Sequence, residues 1–369
     1  MNLKRSPHSN DFETPCFSDF LATKKFAGLD GIRGIAVVGT IFSHAPNHEI
    51  WSPLNGQSGV VAFFVLSGFL ITTLASREEL EYGFLNFRAF FIRRAFRLFP
   101  AYYLVLGLYC IFIFGFNQKG DRSAAEFKES LWHFVFYLQE YARGSSYYQT
   151  WSLGIEEKFY LVWPLVAFGL CRGLYLRWIW AFTTVFSLIV LTSFFLNQFQ
   201  PFPYFSLLMG SLAAVLLGAE STYNIVVPML RRFALPCLAA LISCHFIAPH
   251  YRESTVLIVV TPIFMACVLI SIVTGGLQKL LGILELPLLV RLGKYSYFIY
   301  LIHLLVKNFV VKFQPSAGNV WIDSFVTIIF TVALSYSSAS LVFRYFEEPL
   351  INLGRKFSNR YRGSLPPVY

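Results

Sequence analysis

Apolar runs long enough to cross a bilayer recur along the whole chain, separated by short polar turns. They predict about ten transmembrane helices, at approximately 27–45, 59–75, 99–116, 153–171, 178–196, 204–219, 233–249, 254–274, 295–312 and 322–343. Several are short against a hydrocarbon core of roughly 30 Å, which implies a bundle lined by a cavity or a locally thinned bilayer. The longest stretch outside these runs, about 117–150, contains AAEFKESLWHFVFYLQE, whose spacing predicts an amphipathic helix on the outer surface and a candidate lid. No repeat is visible at the level of motif, unlike the inverted repeats of many transporters.

Composition narrows the class. Of 369 residues, 56% are hydrophobic and 14% charged, with 40 Phe, and the mean hydropathy is +0.57. A soluble domain has no means of hiding so much apolar surface, whereas a helical membrane protein presents it to lipid. The expected fold is all-α, a polytopic membrane helical bundle: a polar segment at 1–25, one membrane domain at 26–350 and a basic tail at 351–369. Residues 1–25 lack the basic start and apolar core of a cleavable signal, so the first span is expected to direct insertion.

With the amino terminus inside, basic residues concentrate in inside segments, among them Arg88, Arg93, Arg94, Arg97, Arg231, Arg232 and Arg355. Outside remain chiefly Lys119, Lys128, Arg143 and Arg252. The positive-inside rule then places both termini in the cytoplasm, as an even number of spans requires. That topology accounts for the net charge of +10 without a nucleic-acid partner. Six cysteines without paired ligand spacing read as free thiols, and no metal site is expected.

Candidate chemistry begins in LDGIRGIAVVGTIFSH, where Arg33 and His44 bracket apolar, small and uncharged residues. On a helix that spacing turns about 1100°, so the two share one face roughly 16 Å apart along the axis. Placing an Arg in a membrane span costs at least about 2.5 kcal/mol on the insertion scale. Either Arg33 snorkels to the headgroups and His44 sits in the outer interface, or the pair marks a polar cavity through the membrane. In the second case a neutral imidazole is suited to take a proton from a hydroxyl.

The other motifs also admit two readings. In GVVAFFVLSGFLIT, Ser67 and Gly68 allow close helix approach or leave a gap in a channel wall. FRAFFIRRAFRLFP reads as an interfacial helix entering the membrane at Pro100, its arginines a cytoplasmic anchor, a phosphate cradle, or both. In QTWSLGIEEKFYLVWPL, Ser152 is placed to cap a helix, and Glu156 and Glu157 point about 100° apart. At least one of these acids should face inward, at the depth of His44, and orient its imidazole. LGKYSYFIYLIHLLV puts His303 in a span with Tyr297 and Tyr300, as a packing residue or a second cavity histidine. FRYFEEPL reads as a helix stop with charge pairing.

Taken in order, LDGIRG with His44 downstream, FFVLSGFLIT, RRAFRLFPAYY, WSLGIEEKFYLVWPL, LGKYSYFIYLIH and FRYFEEPL resemble the acyltransferase 3 family of integral membrane O-acyltransferases, from about Leu29 to Leu350. The resemblance implies transfer of an acyl group, commonly acetyl, from cytoplasmic acyl-coenzyme A to a hydroxyl of a carbohydrate, glycolipid or other envelope acceptor. It implies a place in the bacterial inner membrane, in contact with membrane lipid. The family's Arg and His map onto Arg33 and His44, and its WSL-Glu motif onto Trp151, Ser152, Leu153 and Glu156. The sequence departs from many relatives at Val61, where they carry a polar or acidic residue, and at Pro203, Tyr204 and Phe205, near which they carry an Arg. The soluble esterase-like domain that some relatives append is not expected here.

The expected roles follow. His44 is the general base, Glu156 or Glu157 sets its orientation, and Arg33 holds the donor. Arg93 and Arg94 contact the coenzyme A phosphates. Trp151, Ser152, Tyr297 and His303 are candidates for substrate contact. A transporter or flippase of a polar or lipid-linked substrate would need similar intramembrane charges and is the rival reading.

Overall fold

The structure, a computed structural model, describes residues 16–46, 51–54, 56–116, 122–142, 145–171, 177, 202–248 and 254–362. The expected span at 178–196 and parts of both terminal segments lie outside the described residues. Among those described there is no strand, and the architecture is the expected helical bundle. A short α1 (Phe17–Ala22) precedes α2 (Leu29–Ser43), α3 (Gly56–Tyr82), α4 (Phe87–Phe116), α5 (Arg122–Val135) and α6 (Trp151–Pro164). Then come α7 (Phe202–Leu217), α8 (Glu220–Arg232), α9 (Ala234–Ile247), α10 (Thr255–Val273), α11 (Gln278–Leu284) and α12 (Pro287–Lys294). The last three are α13 (Ser296–Phe313), α14 (Val320–Val342) and α15 (Glu348–Arg362).

Among the described residues, 5 helices are long and apolar enough to cross a membrane, or 6 if α7 and α8, bent by 112°, count as one span. With 15 residues, α2 rises only about 22 Å, less than a hydrocarbon core. Its end at His44 therefore stops short of a full crossing. Close backbone approach, the main source of helix association in lipid, holds the bundle together. At the crossing of α3 and α7, a Cβ on Gly68 would run into the Leu207 carbonyl, and one on Gly210 into that of Val65. The Ser211 hydroxyl donates to the Gly68 carbonyl at 3.1 Å across the same contact. Close approach is thus the role that Gly68 fills.

Two boundaries differ from the sequence reading. FRAFFIRRAFRLFP is no separate interfacial helix: α4 runs for 30 residues with Pro100 inside it. A proline deletes one backbone hydrogen bond, and packed neighbours make that loss tolerable in a transmembrane helix. Nor does FRYFEEPL stop the last span. A π-turn at Phe343–Glu347 joins α14 to α15, so the helix continues and α15 lies along α4, with Phe96 and Phe357 at 5.9 Å between ring centres. The turn buries Glu347. The expected amphipathic helix of the 117–150 stretch is present as α5, its Phe127 and Phe134 fully buried.

Among the described residues, two larger apolar bodies and a smaller one result. One centres on α3, α6, α7 and α10, another on α2, α4, α5 and α13, and Tyr297 packs on both; the small one joins α9, α10 and α11 through Ala234, Val268, Ile272 and Leu284.

Candidate active site

A cavity of about 260 Å³ is lined by residues of α2, α3, α4, α6, α12 and α13 together with the segment before α2. Its charge is lopsided. Lys24, Lys25, Arg33, Arg77, Arg94, Arg97 and Lys294 line it, against Asp30 and Glu156. Asp30 is shared by Lys25 at 2.9 Å and Arg33 at 3.6 Å. The Arg94 guanidinium lies 3.2 Å from the ring centre of Tyr160, a cation–π contact that holds the charge in place without neutralising it. Arg77 is anchored differently: it donates to the Thr23 carbonyl at 2.6 Å and the Phe20 carbonyl at 3.2 Å, tying the amino-terminal segment to the cavity rim.

Glu156 faces this cavity and accepts hydrogen bonds from the Tyr160 hydroxyl at 2.6 Å and the Ser67 hydroxyl at 3.2 Å. Its partners therefore belong to the basic cavity and not to His44, which corrects the expectation that it orients the imidazole. Glu157 does not line the cavity; it lies within electrostatic reach of Arg94, Tyr103, Tyr137 and Tyr297. Of the paired arginines only Arg94 lines the cavity. Arg93 turns to Glu78, itself buried, at 2.5 Å, which corrects its assignment to the donor. Adjacent helical positions diverge by 100°, so one of two neighbouring arginines had to face elsewhere.

Ser152 and Tyr300 also line the cavity, their hydroxyls 2.8 Å apart. Tyr300 also donates to the Gln149 carbonyl, so Ser152 is the donor to Tyr300. Ser152 is not a helix cap; Thr150 occupies that position. Tyr297 lines the cavity and donates to the Leu98 carbonyl at 3.0 Å, while half-buried Trp151 lies outside the lining and packs against Phe64 at 6.2 Å.

His44, half-buried, lies in a second, smaller pocket with His303, Lys307, Thr327 and Thr331, which holds no free space of water size. Arg33 and His44 thus do not line one continuous passage, as the sequence reading supposed; α2 delivers them to two compartments. Tyr300 lies between these: it lines the basic cavity, its hydroxyl is held by Ser152 and the Gln149 carbonyl, and its own carbonyl is 2.6 Å from His303 Nδ1. The His44 Nδ1 lies 2.9 Å from the Thr40 carbonyl. A carbonyl only accepts, so in the neutral ring Nδ1 carries the proton and Nε2 keeps its lone pair, the form a general base requires.

The cavity residues Lys24, Lys25, Arg77, Arg97, Ser67 and Tyr160 were not among the expected site residues. For Arg97 a signal existed, since three residues after Arg94 it falls on nearly the same helical face.

Comparison with known proteins agrees with this architecture. The chain is 29% identical, over 97% of its length, to a Staphylococcus aureus protein named "Putative O-acetyltransferase SAR0937". It is 30% identical over 90% of its length to a Bacillus subtilis protein named "Putative peptidoglycan O-acetyltransferase YrhL". To the peptidoglycan O-acetyltransferase OatA of Listeria monocytogenes it is 27% identical over 92%. The chain spans 62%, 56% and 58% of the lengths of these relatives, respectively. No solved structure matches it significantly. A family model described as an acyltransferase domain matches residues 26–340, and by that match the chain belongs to the acyltransferase 3 family.

Proposed function

We propose that the protein is an O-acetyltransferase of the bacterial cytoplasmic membrane that moves an acetyl group from acetyl-coenzyme A to a hydroxyl of a cell-envelope carbohydrate. The observation that carries the donor side is the excess of cationic side chains in the basic cavity. Guanidinium and ammonium groups pair with phosphate oxygens, and a cavity of one sign concentrates a polyanionic ligand. Arg33, Arg94 and Arg97 hold the donor, with Ser152 and Tyr297 at its inner end. The basic mouth faces the cytoplasm, where the nucleotide donor is made, as the positive-inside rule requires.

Tyr300 stands between the two compartments, so transfer requires it to move and open the histidine pocket to the acyl group and the acceptor. The acceptor oxygen attacks the thioester carbonyl as His44 Nε2 takes its proton; the carbon–oxygen bond forms, the carbon–sulfur bond breaks, and the thiolate leaves and regains the proton. General-base assistance of this kind contributes about 10²–10⁴-fold. The names of the peptidoglycan O-acetyltransferase relatives point to a glycan acceptor.

The family match and the names of the relatives favour this reading over a transporter. The test is direct: purified protein in nanodiscs, given acetyl-coenzyme A and an N-acetylglucosamine oligosaccharide, should release free thiol and yield acetylated sugar in equal amounts. Movement of either compound across proteoliposomes without thiol release would favour the transporter.

A further inference from the structure

Residues of α3 from Val60 to Arg77 line the basic cavity at helical spacing, so the cavity follows this helix for about 25 Å. Its two ends differ in chemistry. At one, Arg77 is bonded to the Thr23 carbonyl, beside Lys24 and Lys25. At the other stand Val60, Phe63, Ser152, Leu153 and Tyr300, none of them charged. The ring centres of Phe63 and Tyr300 are 6.4 Å apart there, and the Ser152 hydroxyl is 2.8 Å from that of Tyr300. Glu156 lies back towards the basic end, since it follows Ser152 by one turn of α6 and accepts from Ser67, one turn after Phe63 on α3.

The uncharged end is closed by backbone. Leu29, Asp30 and Arg33 of α2 line the cavity, but Val37, one turn on, does not and is fully buried. Here α2 and α3 cross in contact: a Cβ on Gly59 would run into the Ala36 carbonyl, and one on Gly56 into that of Gly39. Packed backbones do not give way, so the depth of this end depends on the side chains that fill it. Of the apolar ones, Phe63 is the largest.

We infer that this uncharged end is the acyl pocket and that Phe63 sets its length, admitting an acetyl group and excluding longer acyl chains. The inference rests on the reading of the cavity as the donor site. An acyl-coenzyme A carries its phosphates at one extremity and an uncharged acyl group at the other, so a cavity basic at one end and apolar at the other fixes which way round it enters. The acyl methyl then meets the Phe63 ring beside Tyr300. Each further methylene has to displace that ring against a floor of packed backbone, and overfilling a packed site is unfavourable.

Competition between acetyl- and butyryl-coenzyme A in one reaction reads the ratio of the two transfer rates, which does not depend on how much of a preparation is folded. On the full chain in nanodiscs with an N-acetylglucosamine oligosaccharide, the wild type should favour acetyl by about 100-fold or more, at about tenfold or more per methylene. Phe63→Ala should cut that preference at least about tenfold, and Phe63→Leu, the milder change, should move it in the same direction. Leu74→Ala, which removes an apolar lining side chain near Arg77, should leave it within about twofold. Equal use of both donors by the wild type, an unchanged preference in the Phe63 variants, or an equal shift in Leu74→Ala overturns the inference. Each of these outcomes leaves the donor reading standing, because acetyl is still transferred. Release of no thiol from either donor by the wild type would instead sink the donor reading, and the inference with it.

Discussion

At the scale of single residues, neighbouring side chains of one type have different tasks. Arg93 completes a buried ion pair with Glu78, while Arg94 presents its charge to the cavity over Tyr160. Removing one partner of a buried pair costs about 3–5 kcal/mol, whereas removing a cavity cation weakens the ligand. Arg93→Ala should therefore lower the thermal unfolding temperature and leave coenzyme A affinity within about twofold. Arg94→Ala should show the converse, a loss of about tenfold in affinity by isothermal titration with little change in unfolding, since a charge-assisted bond to a phosphate contributes about 1.5–3 kcal/mol. The sequence made the type of chemistry legible at Arg33, His44 and Glu156 but not their grouping. Helical spacing places Arg33 and His44 on one face, yet nothing local says that Tyr300, remote in the chain, divides what they face. Likewise the partners of Glu156, Ser67 on α3 and Tyr160 one turn onward, depend on the docking of α6 against α3.

At the scale of elements, small residues set which helices touch. Gly68 and Gly210 each sit against a carbonyl of the facing helix, so the crossing of α3 and α7 leaves no room for a Cβ at either position. Gly68→Leu should force these helices apart at a cost of 1–3 kcal/mol or more, seen as a lower unfolding temperature and reduced recovery of folded protein in detergent. Apolar runs made most of the helices legible. Their ends were harder to read, because a bundle tolerates what an isolated helix does not: Pro100 stays inside α4, and a π-turn carries α14 into α15 where FRYFEEPL suggested a stop. Both exceptions are tertiary, since α15 packs along the stretch of α4 just before the proline.

At the scale of the whole molecule, the fold keeps a basic cavity and a histidine pair apart. A basic cavity lies where the two larger apolar bodies meet, a smaller histidine pocket is separate from it, and Tyr300 lies between them. Under the proposed function, the donor binds without His44 and only transfer requires it. The decisive measurement takes both quantities on the same preparations of wild type and His44→Ala in nanodiscs: coenzyme A affinity by titration, and acetyl transfer from labelled acetyl-coenzyme A to the oligosaccharide. The account predicts unchanged affinity and a fall in transfer of about 10²–10⁴-fold. Transfer at the wild-type rate, or coenzyme A binding lost together with the imidazole, would contradict it.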